Sequence, residues 1–347
     1  MINFKYINLL VLCFCFFNFI TACNYFKHKQ KTKPVVYTIL GKTMGTTYNI
    51  YFEKCKKINN HELFILKCRI DSILERINNS MSTYIKTSTI SKFNKYHGTD
   101  AFFIGSDMAY VIKNALYISK LSKGAFDITA ASLIDLWGFD LNDKNLSIPK
   151  NEEINSLRSF LGFNKIILNG QWLKKLNPKI KINLSGIAKG YAVDLIYQFL
   201  RKNGFKNFIV EIGGEIRVNN KNKIKEWKIG ICNPLSIKHK KKIIAIAKIK
   251  FGALATSGTY LNCFTYKGES YSHIIDPRTG WPIKKKLVSV SIYAPNCIIA
   301  DALGTTAMIL GEIKFNKLIK YLPNISALFV YKNSKNIKIS KTNNFPS

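Results

Sequence analysis

The sequence predicts an α+β fold, in which antiparallel sheets carry packed helices. Two patterns lead to this prediction: several segments repeat their hydrophobic residues with a helical period, and others alternate apolar and polar residues as strands do. The predicted strands follow one another in groups joined by short turns, whereas a doubly wound parallel sheet places a helix after almost every strand. With 347 residues, of which 47% are hydrophobic, the chain can bury a substantial core.

The first half of the chain is expected to hold a strand hairpin followed mainly by helices. Strand-like alternation surrounds a turn at Met44-Gly45, and Asn169-Gly170 is typical of a second hairpin turn. Ser106 or Asp107 is a suitable cap for a helix that closes near Gly124. The predicted elements are strands at 35–43 and 46–52, helices at 62–78, 107–121, 132–137 and 151–160, and strands at 165–168 and 172–176.

The second half is predicted to be richer in strands. The paired glycines Gly213-Gly214 join two short strands, where they allow a tight backbone approach. The hydroxyl-rich segment ATSGTY at 255–260 is interpreted as a turn. The predicted elements are helices at 187–203 and 300–311 and strands at 208–212, 216–218, 227–232, 243–249, 260–266, 271–275, 288–293, 325–331 and 337–339.

The N-terminus has the features of an export signal. Lys5 precedes a short apolar stretch at 7–20, and Ala22 stands directly before Cys23. This boundary resembles a bacterial lipobox, in which the cysteine is lipidated; the alternative is an ordinary signal peptide with an incidental Cys23. We predict a lipoprotein signal peptide at 1–22, a lipidated Cys23 with a polar tether at 23–36, and one folded domain at 37–340. The chain would then be anchored on the periplasmic, extracytoplasmic face of a bacterial membrane, with the inner membrane favoured.

Composition argues against two classes of function. The net charge is +33, but only six of the 53 basic residues are Arg, and the Lys residues are spread along the chain. Nucleic-acid readout favours clustered Arg, so A/T-rich codon usage explains the charge better, and we predict no nucleic-acid partner. The cysteines after the export segment have no CxxC pair, which favours neither a metal cluster nor a disulfide framework; they are Cys55, Cys68, Cys232, Cys263 and Cys297.

The segment SHIIDPRTGWP at 272–282 places titratable groups where a strand gives way to a turn. Pro277 and Gly280 form the turn, and His273 and Asp276 lie on its approach. An imidazole ordinarily titrates near ~6.5, which suits a general base at neutral pH. His273 is therefore the candidate catalytic base. The alternative is a structural hydrogen bond across the turn.

Two further segments are candidates for binding phosphate and metal. In INLSGIAKGYAVD at 182–194, a strand, a Ser185-Gly186 turn and a helix start place backbone N–H groups and Lys189 where they suit an anion; the alternative is a simple cap by Ser185. In ADALGTTAMILG at 300–311, Asp301 and Thr305 lie on one helix face, which suits Mg²⁺. The alternative has Asp301 stabilising the helix dipole and Thr305 bonding its own helix.

The segment GAFDITAASLIDLWGF at 124–139 combines polar turn residues with aromatic ones. Asp127 and Thr129 occupy the turn, and Trp137 follows in a cluster that suits a planar ring ligand. The alternative is a Trp buried in the core.

Taken together, these segments resemble the ApbE family of flavin transferases. The segments TMGTTYNI, MSTY with SKFN, EIGGEIR and ATSGTY complete the pattern, which runs in family order over about 37–311. The resemblance implies an ApbE-like (T-fold-like) α+β catalytic domain with one flavin site. It implies Mg²⁺ held by Asp301, Thr305 and a main-chain carbonyl that we place at Gly186. The implied FAD contacts are Met44, Ser82, Thr83, Tyr84, Ala125, Phe126, Asp127, Asn183, Lys189 and His273.

The resemblance also implies a reaction. The FMN part of FAD is transferred to a Thr or Ser hydroxyl of an acceptor protein, with release of AMP and with His273 and Asp301 as catalytic residues. The implied acceptor is a flavoprotein subunit of a membrane electron-transport complex of the NADH-dehydrogenase type. Two alternatives remain. One is an FAD pyrophosphatase giving FMN and AMP, in which water replaces the hydroxyl nucleophile. The other is a non-catalytic FAD-binding lipoprotein, which Asn183 suggests because the family usually has Asp at this position.

Overall fold

The computed structural model describes residues 34–139, 148–220, 226–236, 242–260, 263–284, 286–333 and 336–347. The predicted signal peptide, Cys23 and most of the tether lie outside these residues. The features below belong to the compact body formed by Val36–Lys54 and Ile58–Ser347. Among the described residues, no helix combines the length and apolar character needed to cross a bilayer. All five cysteines of the described residues are free thiols.

The described residues form helices and strands that we number in chain order. The helices are α1 Asn60–Met81, α2 Thr89–Lys95, α3 Gly105–Leu121, α4 Ala131–Leu136, α5 Asn151–Phe160, α6 Ala188–Lys202, α7 Cys297–Leu310 and α8 Glu312–Ile319, with 3-10 turns at Ile128–Ala130 and Phe163–Lys165. The strands are β1 Val35–Thr43, β2 Thr46–Lys54, β3 Phe102–Phe103, β4 Ile166–Asn169, β5 Trp172–Lys175, β6 Asn207–Ile212, β7 Glu215–Asn220, β8 Trp227–Cys232, β9 Ile243–Ile249, β10 Phe251–Gly258, β11 Cys263–Tyr266, β12 Glu269–Ser272, β13 Ile275–Asp276, β14 Trp281–Pro282, β15 Leu287–Ala294, β16 Ser326–Asn333 and β17 Asn336–Lys341.

The main sheet has eight strands in the order β1-β2-β6-β7-β10-β15-β16-β17. Its ladders with a defined register are all antiparallel. Alternating residues of β10 serve two cores: Ala253 and Ala255 join the large core that contains α6 and α7, whereas Leu254 joins the core beneath the β8–β9 ribbon. Helices therefore cover one face of the sheet and a ribbon covers the other. The predicted arrangement of antiparallel sheets with packed helices is confirmed.

Glycine allows helix α7 to pack unusually close to its neighbours. A Cβ atom at Gly190 of α6 would lie 2.4 Å from the Cys297 carbonyl oxygen, and one at Gly304 would lie 2.6 Å from Ser257 Oγ on β10. Asp194 of α6 also accepts hydrogen bonds from the first two N–H groups of α7, at 2.9 and 3.0 Å, and pairs with Arg217 at 2.6 Å. The relative position of α6 and α7 is thus fixed by close backbone contact and by the hydrogen bonds that Asp194 accepts, while its ion pair with Arg217 joins α6 to β7.

Three local predictions are wrong, and each was overridden by tertiary contacts. Helix α3 has Ile104 rather than Ser106 or Asp107 at its cap, because the Asp107 carboxylate instead pairs with Arg76 and accepts a hydrogen bond from Tyr191. The segment predicted as a turn at 255–260 begins inside strand β10, which pairs with both β7 and β15. The strand predicted at 271–275 ends at Ser272 and resumes only as β13.

Lys175 is a fully buried lysine on β5. Its ammonium donates to the carbonyl oxygens of Ile180 and Phe93, at 3.1 and 3.3 Å, and no salt bridge in the described part of the chain includes it. Burial lowers the pKa of Lys175 from its ordinary 10.5. The unfolded chain therefore keeps this proton to higher pH than the folded chain does. Burying the charged Lys175 therefore lowers the free energy of unfolding. This loss of stability is complete below the folded-state pKa and disappears as the pH rises towards 10.5.

We expect Lys175→Met to raise the free energy of unfolding at pH 7 by about 1 kcal/mol, because it removes a buried, unpaired charge. The gain should shrink as the pH approaches 10.5. Urea unfolding at pH 7 and pH 10 measures both effects. Lys174→Met is the matched control, since Lys174 is exposed on the same strand. A lower stability of Lys175→Met at pH 7 would show that the two carbonyl contacts outweigh the cost of burial.

Candidate active site

Two adjoining cavities collect the residues predicted to bind FAD. The Met44 cavity, of about 570 Å³, contains Met44, Ser82, Thr83 and Tyr84. The His273 cavity, of about 320 Å³, contains His273 together with Ala125, Phe126, Asp127, Asn183, Gly186, Asp301 and Thr305. Ser185 and Lys189 line both. Cavities of this size are typical of small-molecule sites, and two that share a wall suit a ligand with two halves.

Turns shape the Met44 cavity. Met44 and Gly45 both have positive φ, 48° and 71°, as a two-residue hairpin turn requires, so the Met44 side chain is held at the cavity wall. Ser82 ends helix α1, and its carbonyl accepts a hydrogen bond from the Ser88 hydroxyl at 2.7 Å. Tyr84 is 75% exposed and lies at the mouth of the cavity.

The segment 125–127 forms one wall of the His273 cavity. Both oxygens of the Asp127 carboxylate are used within the protein: one accepts from the Thr129 N–H and hydroxyl, at 2.8 and 2.7 Å, and the other from the Phe163 N–H at 2.8 Å. Burial raises the pKa of Asp127, although these hydrogen bonds oppose the shift. Asp127 therefore lines the cavity while its carboxylate holds the turn in place.

Trp137 does not take part in either cavity. It is buried at 1% exposure, donates to the Gly280 carbonyl at 2.9 Å and stacks on Tyr271. The prediction that this indole faces a planar ligand is wrong, and the core alternative is right. Phe126 is the aromatic residue of this segment that lines the cavity.

Asn183 enters the cavity through an Asx turn. Its side-chain oxygen accepts a hydrogen bond from the Ser185 N–H at 2.8 Å, and its own N–H donates to the Ile128 carbonyl at 2.8 Å. An Asp oxygen can accept the same bond, so the local backbone needs the oxygen and not the charge.

We expect Asn183→Asp to keep the melting temperature and to change the FMN transfer that the family resemblance implies by less than about threefold, because the acceptor for Ser185 is retained. Asn183→Ala removes that acceptor and should cost about 1 kcal/mol of stability. Thermal melts and a transfer assay measure the two effects. A gain of more than about tenfold for Asn183→Asp would show that the charge at this position acts on the reaction itself.

The start of α6 places Lys189 between the cavities. The helix begins at Ala188, with Ile187 at its cap, so the alternative of a cap by Ser185 is wrong. The Ala188 and Gly190 N–H groups are already bonded, to the Leu184 carbonyl and to Asp301. This helix start consequently offers fewer N–H groups to an anion than the sequence indicated, and the Lys189 ammonium is the charged group at this position.

Asp301 and Thr305 face the His273 cavity together, as their spacing predicted. Asp301 lies one turn inside α7 and accepts a hydrogen bond from the Gly190 N–H at 2.9 Å. Asp194 and Asn296 satisfy the N–H groups at the start of this helix, so the dipole alternative for Asp301 is wrong. The hydroxyl that bonds back to its own helix is that of Thr306, which donates to the Ala302 carbonyl at 2.8 Å.

Gly186, whose carbonyl is the third predicted oxygen donor, lies beside Thr305. A Cβ atom on Gly186 would lie 3.2 Å from Thr305 Oγ1, so the Ser185-Gly186 turn and helix α7 meet at the cavity wall. A carboxylate, a hydroxyl and a backbone carbonyl are the hard oxygens that Mg²⁺ prefers, and the donor chemistry fits that ion. Within the described residues, no three His, Cys, Asp or Glu side chains come together as a metal site. The predicted donor set contains only one such side chain.

A buried ion pair connects Lys189 to strand β7. Lys189 Nζ lies 2.7 Å from Glu215 Oε1. Burial raises the pKa of Glu215, and Lys189 offsets only part of this shift. Burial alone would lower the pKa of Lys189, but the carboxylates of Glu215 and Asp301 outweigh it and raise the pKa. Burial also raises the pKa of Asp301, against the effects of Lys189 and the Gly190 N–H.

His273 lies in the bend between β12 and β13 and lines the cavity, with its ring 6.5 Å from that of Phe139. The Asp276 carboxylate does not turn toward the cavity. It binds Arg278 through the backbone N–H, Nε and Nη2, at 3.0, 2.9 and 2.7 Å. Asp276 therefore shapes the loop and leaves His273 as the titratable group of this segment at the cavity.

Among the lining residues of the His273 cavity that were not predicted as site residues, five come from two neighbouring parts of the main sheet, namely Gly213, Glu215, Thr256, Ser257 and Gly258. They lie on β10 and around the β6–β7 turn, and the two parts are neighbours because β7 pairs with both β6 and β10. One signal for Glu215 was present: an acidic residue directly follows the two glycines that join two strands. The segment ATSGTY at the end of β10 belonged to the family pattern, but none of its residues was assigned to the site.

Known proteins resemble this chain over most of its length. The family model of the ApbE family matches residues 44–329. The FAD:protein FMN transferase of Vibrio cholerae is 39% identical over 273 residues, which are 78% of this chain and 80% of that protein. The FAD:protein FMN transferase of Haemophilus influenzae is 34% identical over 296 residues, which are 82% of this chain and 83% of that protein.

Solved structures show the same fold. The flavin transferase ApbE from Vibrio cholerae superposes with a TM-score of 0.79 at 35% identity, covering 90% of this chain and 98% of that one. The apo form of the Pseudomonas stutzeri flavinyl transferase ApbE gives a TM-score of 0.79 at 29% identity, covering 90% and 96%. The predicted ApbE-like α+β fold is confirmed. Because the family match begins at the Met44 turn, runs through both cavities and ends in β16, this chain belongs to the ApbE family.

Proposed function

We propose that this chain is an FAD:protein FMN transferase, which moves the FMN part of FAD to a Thr or Ser hydroxyl of an acceptor protein and releases AMP. One observation carries the proposal: Lys189 lies between two adjoining cavities, and one of them also joins His273 to the Asp301–Thr305 face. Relatives named FAD:protein FMN transferase, at 39% and 34% identity, support the flavin reaction.

The chemistry is phosphoryl transfer. The acceptor hydroxyl attacks the phosphorus on the FMN side of the FAD pyrophosphate, so that a P–O bond forms to the acceptor while the P–O bond to AMP breaks and AMP leaves with the electron pair. His273 takes the proton of the hydroxyl and later releases it to solvent. Lys189 attracts the phosphate groups from its position between the cavities.

The oxygen donors around α7 have a separate part in this proposal. Asp301, Thr305 and the Gly186 carbonyl would hold Mg²⁺, which when bound neutralises negative charge on the phosphates. The chain contributes a rigid frame for these donors, because α7 is pressed between α6 and β10 at Gly190 and Gly304. Such rigidity keeps the donors in place during the reaction.

The setting of the reaction is part of the same proposal. An N-terminal signal and a lipidated Cys23 would hold the domain at the outer face of the membrane, in the periplasm. The acceptor would then be a flavoprotein subunit of a membrane electron-transport complex of the NADH-dehydrogenase type. The sequence around Cys23 supports this setting.

One assay tests the proposed function against its alternatives. The full chain is incubated with FAD, Mg²⁺ and an acceptor that carries a Thr in a flavinylation motif, and the products are separated on a denaturing gel and by chromatography. Fluorescent acceptor with release of AMP is the expected result. Free FMN and AMP without labelled acceptor would instead establish a pyrophosphatase. Unchanged bound FAD would leave only a flavin-binding protein.

A further inference from the structure

Glu215 is placed at the cavity in a way that folding alone does not explain. It is the first residue of β7, directly after the Gly213-Gly214 turn, and its side chain is only 3% exposed. One carboxylate oxygen pairs with Lys189, but the other, Oε2, is buried without a hydrogen-bond partner in the described part of the chain. A buried carboxylate oxygen in this state destabilises the fold.

The exposure of the two partners is unequal. The Lys189 side chain is 30% exposed and lines both cavities, whereas Glu215 lies behind it and lines only the His273 cavity. An ammonium has three N–H donors, and Glu215 takes one of them. Glu215 therefore binds the Lys189 ammonium from its buried side, and the remaining N–H groups of the ammonium are available to a ligand in the two cavities.

An ion pair of this kind is a poor way to stabilise a fold. Taking both charges out of water costs about as much free energy as their attraction returns, so apolar side chains of similar size often serve a core better. The same pair has an evident use at a ligand site, because a lysine stem is flexible and an unsupported ammonium samples many positions. A fixed ammonium loses less entropy when a phosphate binds.

We infer that Glu215 is a positioning residue, which fixes the Lys189 ammonium where it meets the pyrophosphate of FAD. The inference rests on the proposed use of FAD. It assigns a role to an acidic residue in a site that binds an anion, where a carboxylate alone would repel the ligand. Glu215 acts through Lys189, so its effect depends on that lysine.

The test is a double-mutant cycle on FAD binding by the full chain in detergent. FAD and riboflavin affinities are measured for the wild type, Glu215→Gln, Lys189→Met and the double variant, with and without Mg²⁺. Glu215→Gln should weaken FAD binding by about tenfold, and the double variant should bind no more weakly than Lys189→Met alone. Riboflavin has no phosphate, and its affinity should stay within about twofold in every variant.

Controls separate this role from a structural one. Glu215→Asp keeps the charge on a shorter side chain and should restore part of the FAD affinity, and it serves as the test variant if Glu215→Gln does not fold. Asp107→Asn changes another ion-paired carboxylate, 16% exposed, that lines neither cavity, and it should lower the melting temperature without changing FAD affinity.

Three results would overturn the inference: unchanged FAD affinity in Glu215→Gln, additive effects in the double variant, or an equal loss of riboflavin binding. Because the measurement is binding, a chain that binds FAD without transferring FMN still gives a result. If FMN transfer is normal and Glu215→Gln binds FAD as tightly as the wild type, the role of Glu215 is rejected and the proposed function stands.

Discussion

Replacing Asp301 by Asn is expected to lower FMN transfer at least about 100-fold, because it removes the one carboxylate among the three proposed Mg²⁺ ligands, Asp301, Thr305 and the Gly186 carbonyl. The fold should survive, since the Asn oxygen can still accept the hydrogen bond from the Gly190 N–H that Asp301 accepts at 2.9 Å. Removing a buried negative charge also removes its desolvation cost, so the melting temperature should not fall. Transfer is measured as flavin fluorescence on the acceptor, over a range of Mg²⁺ concentrations.

Thr305 and Thr306, on the same helix as Asp301, supply a matched pair of variants for this test. Thr305 lines the cavity, whereas the Thr306 hydroxyl bonds the Ala302 carbonyl on the buried side of the helix. Thr305→Val should reduce transfer and raise the Mg²⁺ concentration needed for half-maximal rate. Thr306→Val should lower stability and leave transfer unchanged. Full activity of Asp301→Asn at low Mg²⁺ would exclude this carboxylate from the metal site.

The helix face of Asp301 and Thr305 could be predicted because its pattern is local. Residues four apart on a helix share a face whatever surrounds the helix, so the sequence was sufficient to pair the two side chains. The same holds for the hairpin turn at Met44-Gly45, where both residues have positive φ. The second hairpin was also predicted, but its turn residues are Gly170 and Gln171 rather than Asn169 and Gly170, because Asn169 pairs with Trp172 in the ladder. These features depend only on neighbours along the chain.

Features that join distant segments could not be predicted in this way. Glu215 meets Lys189 only because β7 lies beside β10 and α6 packs across that part of the sheet. No sequence pattern indicated a role for Asp194. In the structure it accepts hydrogen bonds from the first two N–H groups of α7, so Asp301 is not needed to stabilise the start of that helix. Strand β10 was read as a turn because Thr, Ser and Gly favour turns, whereas pairing with two neighbouring strands decided its conformation.

Trp137 shows why residue type alone does not identify a ligand contact. The sequence placed an indole beside polar turn residues, and both a ring ligand and a core position were consistent with that pattern. The structure buries the indole against Tyr271 and Trp281, where its N–H meets the Gly280 carbonyl. The Trp137 N–H holds the Gly280 carbonyl in the loop that follows His273. This one hydrogen bond connects the core to the active site.

Replacing His273 by Gln is expected to slow FMN transfer by about 100-fold to 1,000-fold, because an amide cannot take the proton of the attacking hydroxyl. FAD affinity should change far less, by about threefold at most, since Lys189 and the oxygen donors of α7 remain in place. Equilibrium binding and single-turnover transfer measure the two effects separately. His97→Gln is the control, because His97 is exposed and lines neither cavity.

A purely structural His273 would predict a different set of results. If the imidazole only braced the bend between β12 and β13 against Phe139, its loss would lower the melting temperature and weaken FAD binding together with transfer. A base leaves a specific signature instead: His273→Ala should regain part of its transfer rate when imidazole is added, and the rescue should grow with the fraction of unprotonated imidazole. Normal transfer in His273→Gln would exclude the base, because the reaction then needs no proton acceptor at this position.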